Sequence, residues 1–169
     1  MTFELFPALV AGLVATLVMS AMMTMSASAG MTRMPPMTLV TGAMMSGDPD
    51  RARRIGAMIH YVVLGTIVFG IAYGALFTAF GSSSVLTGIL IGAVHGVVVG
   101  AIGMPMMPAM HPRMTADSDG PAVDTSDGTV VLSAPGFFGA RWGAMTPMGL
   151  IVGHVVYGLI AALVYGALV

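Results

Sequence analysis

Residues 85–104 read VLTGILIGAVHGVVVGAIGM, a stretch of 20 residues without a single charged side chain. About 20 predominantly apolar residues are what an α-helix needs to cross the hydrocarbon core of a bilayer. Three further stretches of the same character lie at residues 7–29, 55–80 and 148–169. The pattern predicts an all-α integral membrane protein, a four-helix bundle that residues 1–169 form as a single four-span domain.

The composition agrees with a chain surrounded by lipid. Hydrophobic residues make up 57% of the sequence and charged residues only 8%, whereas soluble domains carry about 25% charged residues. The formal net charge is -1, so no basic surface is expected to attract a nucleic acid. Cysteine is absent, which excludes disulfides, thiolate metal sites and thiol catalysis.

The arginines predict the orientation of the spans. All six fall within two connecting segments, residues 30–54 and 105–147, which four spans place on the same side of the membrane. Because positive charge marks cytoplasmic segments, we expect a multi-pass protein of a prokaryotic plasma membrane with both termini external. The second segment is expected to be solvated, with Trp142 as an anchor at the interface; its aspartates are Asp117, Asp119, Asp124 and Asp127.

Two halves of the sequence resemble each other. Span two carries His60 and then Tyr73 followed by Gly-Ala-Leu, and span four carries His154 and then Tyr165 followed by the same three residues. Spans one and three both lead into methionine–proline runs. We therefore predict two duplicated transmembrane hairpins, related by an axis along the membrane normal.

Small residues recur every four positions in spans one and three. Lipid provides no hydrophobic force between helices, so close backbone approach along such stripes is a common means of association. We expect these two spans to cross at the centre, and a partner protein or a second copy to use the stripe of span three. That stripe consists of Gly88, Gly92, Gly96 and Gly100.

Methionine and histidine are concentrated in the predicted cytoplasmic half. Of 18 methionines, all except Met1 lie within residues 19–58 or 104–148. One interpretation is structural: methionine fills irregular gaps between helices, and the histidines link helices through hydrogen bonds.

Two other interpretations give these residues a cofactor, either copper or haem. Thioether and imidazole donors without thiolates or carboxylates favour Cu(I). The candidate copper ligands are His95, His111, Met104, Met107, Met110, Met22 and Met25. Bundles also build cofactor sites between facing helices, so haem held by His60 and His154 is the second alternative.

The spans lack the charged side chains that enzymes commonly use in catalysis. No span carries Asp, Glu, Lys or Arg in its middle, and catalysis by a histidine needs an acid–base or nucleophilic partner within reach. We predict no catalytic residues and a non-catalytic accessory or partner-binding subunit with a methionine- and histidine-rich cytoplasmic half. A small transporter or channel is a further alternative.

Several blocks are similar to those of a known but uncharacterised family. These are residues 12–23, His95-Gly96 leading into residues 104–113, and residues 153–158. They resemble small four-helix prokaryotic integral membrane proteins described as a domain of unknown function. The resemblance covers nearly the whole chain and implies a four-helix fold with recurrent histidines, but it implies no activity. The histidines concerned are His60, His95, His111 and His154.

Overall fold

The structure, a computed structural model, describes residues 1–116 and 120–169. It is mostly helical, and among the described residues four helices are long and apolar enough to cross a membrane. Asp117 and Asp119, predicted to be solvated, lie outside the described residues. The four predicted spans are therefore confirmed as helices of sufficient length and apolarity: α1 (Leu5–Ser28), α3 (Pro49–Phe80), α4 (Val85–Met110) and α5 (Thr146–Leu168). A short helix, α2 (Met37–Ala43), precedes α3.

Helix α3 begins six residues before the predicted span. The Asp48 side chain accepts a hydrogen bond of 2.7 Å from the backbone N–H of Arg51, and Pro49 occupies the first turn. Both features stabilise a helix start, since the cap satisfies a free N–H and proline has none to satisfy. Three of the arginines placed in a connecting segment therefore lie at the beginning of a helix: Arg51, Arg53 and Arg54.

Two of the long helices contain widened, π-helical segments. In α3 this segment is Met58–Phe69, where the Thr66 hydroxyl donates to the carbonyl of Tyr61, five residues back, at 2.8 Å. In α4 it is Val99–Gly103, directly before the methionine–proline run that follows the predicted third span. The helix continues through that run to Met110. Such segments are rare and are often found at functional sites.

The chain divides into two compact units. The first consists of Met1–Met23, Tyr61–Gly96 and Ile151–Val169, and the second of Thr24–His60 and Val97–Leu150. Each of the four long helices contributes residues to both units, and the second unit also contains α2 and a small sheet.

Aromatic rings packed against a row of alanines form the core of the first unit. Tyr73 and Tyr157 meet with ring centroids 5.0 Å apart, and Phe77 and Tyr165 with centroids 5.5 Å apart. Small side chains on α1 leave room for these rings, which bury large apolar areas. The alanines are Ala8, Ala11 and Ala15.

Glycines bring pairs of helices into backbone contact in this unit. Gly12 of α1 faces the backbone of Gly65 and Gly70 in α3, and Gly88 of α4 faces that of Gly158 in α5. The small-residue stripes of spans one and three therefore face α3 and α5. That spans one and three cross at the centre stays a prediction, since these glycine contacts show only which helices the stripes face.

The second unit contains a three-stranded sheet with its own apolar core. Its strands are β1 (Met114–Thr115), β2 (Val123–Asp124) and β3 (Val131–Ser133). Strand β3 is central, parallel to β1 and antiparallel to β2. Trp142 is only 1% exposed, and its indole N–H donates to the Ser133 carbonyl at 3.0 Å. The expectation that Trp142 anchors at the interface is wrong, because this hydrogen bond and the sheet residues hold it inside.

Arginine side chains tie the connecting segments of the second unit together. The Arg113 guanidinium donates to the Ala43 carbonyl at 2.6 Å, and that of Arg141 donates to the Ala116 carbonyl at 3.1 Å. These two arginines therefore stabilise the second unit by donating hydrogen bonds to backbone carbonyls.

Replacing Gly158 by alanine is expected to destabilise the protein. The added Cβ would lie 3.0 Å from the Cα of Gly92 and closer still to the Gly88 carbonyl. Forcing two backbones apart typically costs about 1–3 kcal/mol. The matched control is Gly149→Ala on the same helix, where nothing lies within 4 Å of the added atom. Unfolding of both variants in detergent micelles gives the comparison, and equal midpoints would contradict the packing described.

Candidate functional site

Two histidines meet among aromatic side chains in the first unit. The rings of His95 (α4) and His154 (α5) lie 4.6 Å apart, nearly perpendicular to each other. Phe69 of α3 packs on His95 at 4.7 Å between ring centroids. Tyr73 and Tyr157 lie against His95 at 5.8 and 6.3 Å. We call these five residues the imidazole cluster.

Helical spacing and glycine contacts assemble this cluster. His154 and Tyr157 are three residues apart on α5, and Phe69 and Tyr73 are four apart on α3, so each pair shares a helix face. His95 is flanked by glycine on the side of α5. A Cβ added to Gly96 would lie 3.1 Å from the Cβ of His154. The absence of a side chain there allows the two histidines to approach.

A hydrogen bond determines how His95 can act. The Tyr73 hydroxyl and His95 Nδ1 are 3.1 Å apart. If Nδ1 carries the proton and donates to the phenol, Nε2 carries a lone pair that can bind a metal; in the other tautomer the phenol donates to Nδ1. Ionisable side chains within a membrane are costly and mark functional sites by default. The cluster is therefore the leading candidate site in the first unit.

The predicted haem pair falls in two different units. His60 is buried in the second unit, whereas His154 belongs to the first and packs on His95. Haem ligation by His60 and His154 stays a prediction.

The predicted copper ligands at the end of α4 have unlike surroundings. Met104 is buried, Met107 half-buried and Met110 65% exposed. The His111 side chain is buried within the second unit. Its Nε2 donates to the Val40 carbonyl at 2.9 Å, and its Nδ1 accepts from the Arg113 N–H at 3.2 Å. Copper binding here stays a prediction, and ligation by His111 requires one of these two bonds to break.

The two predicted ligands from span one also differ. Met25 is 71% exposed and belongs to the second unit. The Met22 methyl group lies 3.6 Å from where a Cβ on Gly153 would be, next to side-chain atoms of Met19 and Met23. Three thioether side chains of α1 thus surround the residue that precedes His154.

Carboxylates contribute no metal site to the described part of the chain. Among residues 1–116 and 120–169, no group of three or more His, Cys, Asp or Glu side chains is placed to hold a metal ion. Asp124 is exposed and accepts from the Ser126 N–H at 2.9 Å, a bond that lowers the pKa of its carboxyl group. Its role is therefore to stabilise a turn.

The glycine stripe of α4 is occupied within the chain. Gly88, Gly92 and Gly96 face residues of α5, and Gly100 faces the ring of Phe138. A second copy cannot reach these glycines while the internal contacts exist. Oligomerisation stays a prediction, and its predicted use of this stripe requires those contacts to open.

Tyr73 and Tyr157 were not among the predicted site residues. A signal was present for one of them, because His154-Val-Val-Tyr157 places imidazole and phenol on one helix face. For Tyr73 the contact with His95 depends on how α3 and α4 are rotated, which periodicity does not reveal.

Removing the His111 side chain is expected to loosen the second unit. His111→Ala leaves the Val40 carbonyl and the Arg113 N–H without these partners, and each buried unsatisfied group costs about 1–3 kcal/mol. Hydrogen exchange of the Arg113 amide should accelerate in the variant. Arg53→Gln, which removes only an exposed ion pair with Asp50, serves as the control. Unchanged exchange in His111→Ala would argue against a structural role for this histidine.

Comparison with known proteins provides no identity for this fold or this site. No family model matches the chain, and neither a curated protein nor a solved structure matches it. The family resemblance stays a prediction, and the function has to be argued from the geometry of the chain itself.

Proposed function

We propose that this chain is a small, non-catalytic membrane subunit that binds a partner membrane protein through the methionines of its second unit. The observation that carries this proposal is the location of the exposed methionines. Ten methionines among the described residues are exposed, and apart from Met1 all belong to the second unit. They are Met25, Met31, Met44, Met45, Met58, Met106, Met110, Met145 and Met148.

Four of these methionines lie outside the long helices. Met31 follows α1, Met44 and Met45 precede α3, and Met145 precedes α5. Lipid contacts the apolar side chains along a span, but apolar side chains beyond the spans are shielded from water only by contact with another protein surface. Methionine is flexible and polarisable, which suits surfaces that pack against partner helices. A partner anchored in the same membrane would meet these positions at the helix ends.

The distribution of acidic residues supports a non-catalytic role. Helices α1, α4 and α5 contain no Asp or Glu, and Asp50 is the only one on α3. Asp50 lies in the first turn and pairs with Arg53 at 3.3 Å. The histidines of the imidazole cluster thus meet phenol and phenyl rings, whereas acid–base catalysis by histidine usually relies on an orienting carboxylate.

Two observations support a duplicated hairpin as the origin of the fold. His60 and Tyr73 are 13 positions apart, whereas His154 and Tyr165 are 11 apart. The π-helical segment Met58–Phe69 covers most of the first interval, residues 60–69, and each π turn holds about one residue more than an α turn. A widened helix can absorb the two additional residues. In addition, glycines pair α1 with α3 and α4 with α5 in the same manner.

The proposed location is a prokaryotic plasma membrane, with both termini external and the connecting segments cytoplasmic. All six arginines belong to the second unit, which supports this orientation under the positive-inside rule. The proposed hairpins also agree with the four-helix prokaryotic family that the sequence resembles.

A photoreactive residue at Met45 is expected to capture the partner. Met45→benzoylphenylalanine, illuminated in native membranes, should form an adduct with one integral membrane protein. The adduct should disappear when Met31, Met44 and Met145 are replaced by serine, because the apolar surface is then lost. The control position is Leu90, which is 57% exposed on α4 in the first unit. An adduct of twice the chain mass would replace the proposed partner by a second copy, and absence of any adduct would contradict the proposal.

The absence of cysteine permits a direct test of orientation. Ser126→Cys places a thiol at an exposed position of the connecting segment, and Val169→Cys places one at the C-terminus. A membrane-impermeant maleimide should label position 169 in intact cells and position 126 only after permeabilisation. The unsubstituted chain is the control, since it has no thiol. Labelling of position 126 in intact cells would reverse the proposed topology.

A further inference from the structure

The imidazole cluster brings two good metal ligands together in an apolar environment. The ring centroids of His95 and His154 are 4.6 Å apart. With metal–nitrogen bonds of about 2.0–2.1 Å, two imidazoles on one tetrahedral ion have centroids about 5 Å apart. The observed centroid separation is therefore close to that of two imidazoles bound to one ion.

The metal-ligating side chains near this histidine pair indicate which metal ion it would bind. Structural zinc sites take four ligands from Cys, His or carboxylate side chains, and the described part of the chain offers no group of even three. Thioethers are close instead: Met19 packs against the aromatic core that contains Tyr73 and Tyr157. Met19 also lies beside Gly153, next to His154 in sequence. Imidazole combined with thioether favours Cu(I).

The contact between Tyr73 and His95 resembles the hydrogen bond that orients a metal-binding histidine. Metal-bound histidines almost always donate their second ring N–H to a nearby acceptor, which fixes the tautomer and the ring orientation. The Tyr73 oxygen, 3.1 Å from His95 Nδ1, can be that acceptor. His95 would then bind the metal through Nε2, with Tyr73 as a positioning residue.

We propose that His95 and His154 form an intramembrane Cu(I) site, completed by the Met19 thioether and oriented by Tyr73. This site is distinct from the methionines at the end of α4, whose neighbour His111 uses both ring nitrogens in hydrogen bonds. It is also independent of the partner-binding role proposed for the exposed methionines of the second unit.

An anaerobic Cu(I) titration of the full chain in lipid nanodiscs, against a chromogenic Cu(I) chelator, tests the proposal. The unsubstituted protein should take up one equivalent, and His95→Gln and His154→Gln should lose it. Tyr73→Phe should weaken binding by 10- to 100-fold, as expected for loss of a supporting hydrogen bond. His60→Gln is the matched control and should bind like the unsubstituted chain. Circular dichroism and gel filtration verify that each variant is folded.

X-ray absorption at the copper edge gives a second test that needs no histidine variant. The copper-loaded chain should show two nitrogen neighbours and one sulfur neighbour, and Met19→Leu should remove the sulfur. A shell of sulfur alone would overturn the proposal, as would failure to bind Cu(I). It would also be overturned if the triple variant Met104→Leu, Met107→Leu, Met110→Leu lost the copper while His95→Gln kept it.

Discussion

Close contact between glycine-bearing helix backbones is the constraint on which the first unit depends. In a bilayer the hydrophobic effect does not hold helices together, so attraction has to come from packing and hydrogen bonds at short range. Gly12 meets Gly65 and Gly70, and Gly88 meets Gly158. At this separation the aromatic rings of α3 and α5 fill the remaining space against the alanines of α1. His95 reaches His154 because Gly96 beside it carries no side chain.

The second unit is held together by different forces. Its connecting segments bury Trp142 and close hydrogen bonds from arginine side chains and His111 onto backbone carbonyls. Such bonds provide hydrogen-bond partners for polar backbone groups of the connecting segments. The result is a folded region in which methionines stay exposed while tryptophan is buried. The two units therefore offer different chemistry, an imidazole pair in one and a thioether surface in the other.

The π-helical segments link the local geometry of the helices to the candidate site. A widened turn changes the rotation of all residues that follow it along the helix. In α3 the segment Met58–Phe69 precedes Tyr73, so it influences the direction in which Tyr73 points. The structure also places His95 against His154, a contact that the sequence patterns did not predict. Sequence patterns assume a regular helix and could not anticipate this.

The sequence by itself determined the number and approximate limits of the spans. The thickness of the bilayer sets the length of apolar helix that is needed to cross it, and hydropathy along the chain reveals stretches of that length. The sequence also identified His95 and His154 individually, since imidazoles are conspicuous among apolar residues. Only the tertiary structure decided that these two histidines pair, that Tyr73 contacts one of them, that the glycine stripe of α4 faces α5, and that Trp142 and His111 are buried. These properties depend on helix rotation and on contacts between residues far apart in the chain, and neither has a periodic signature in the sequence.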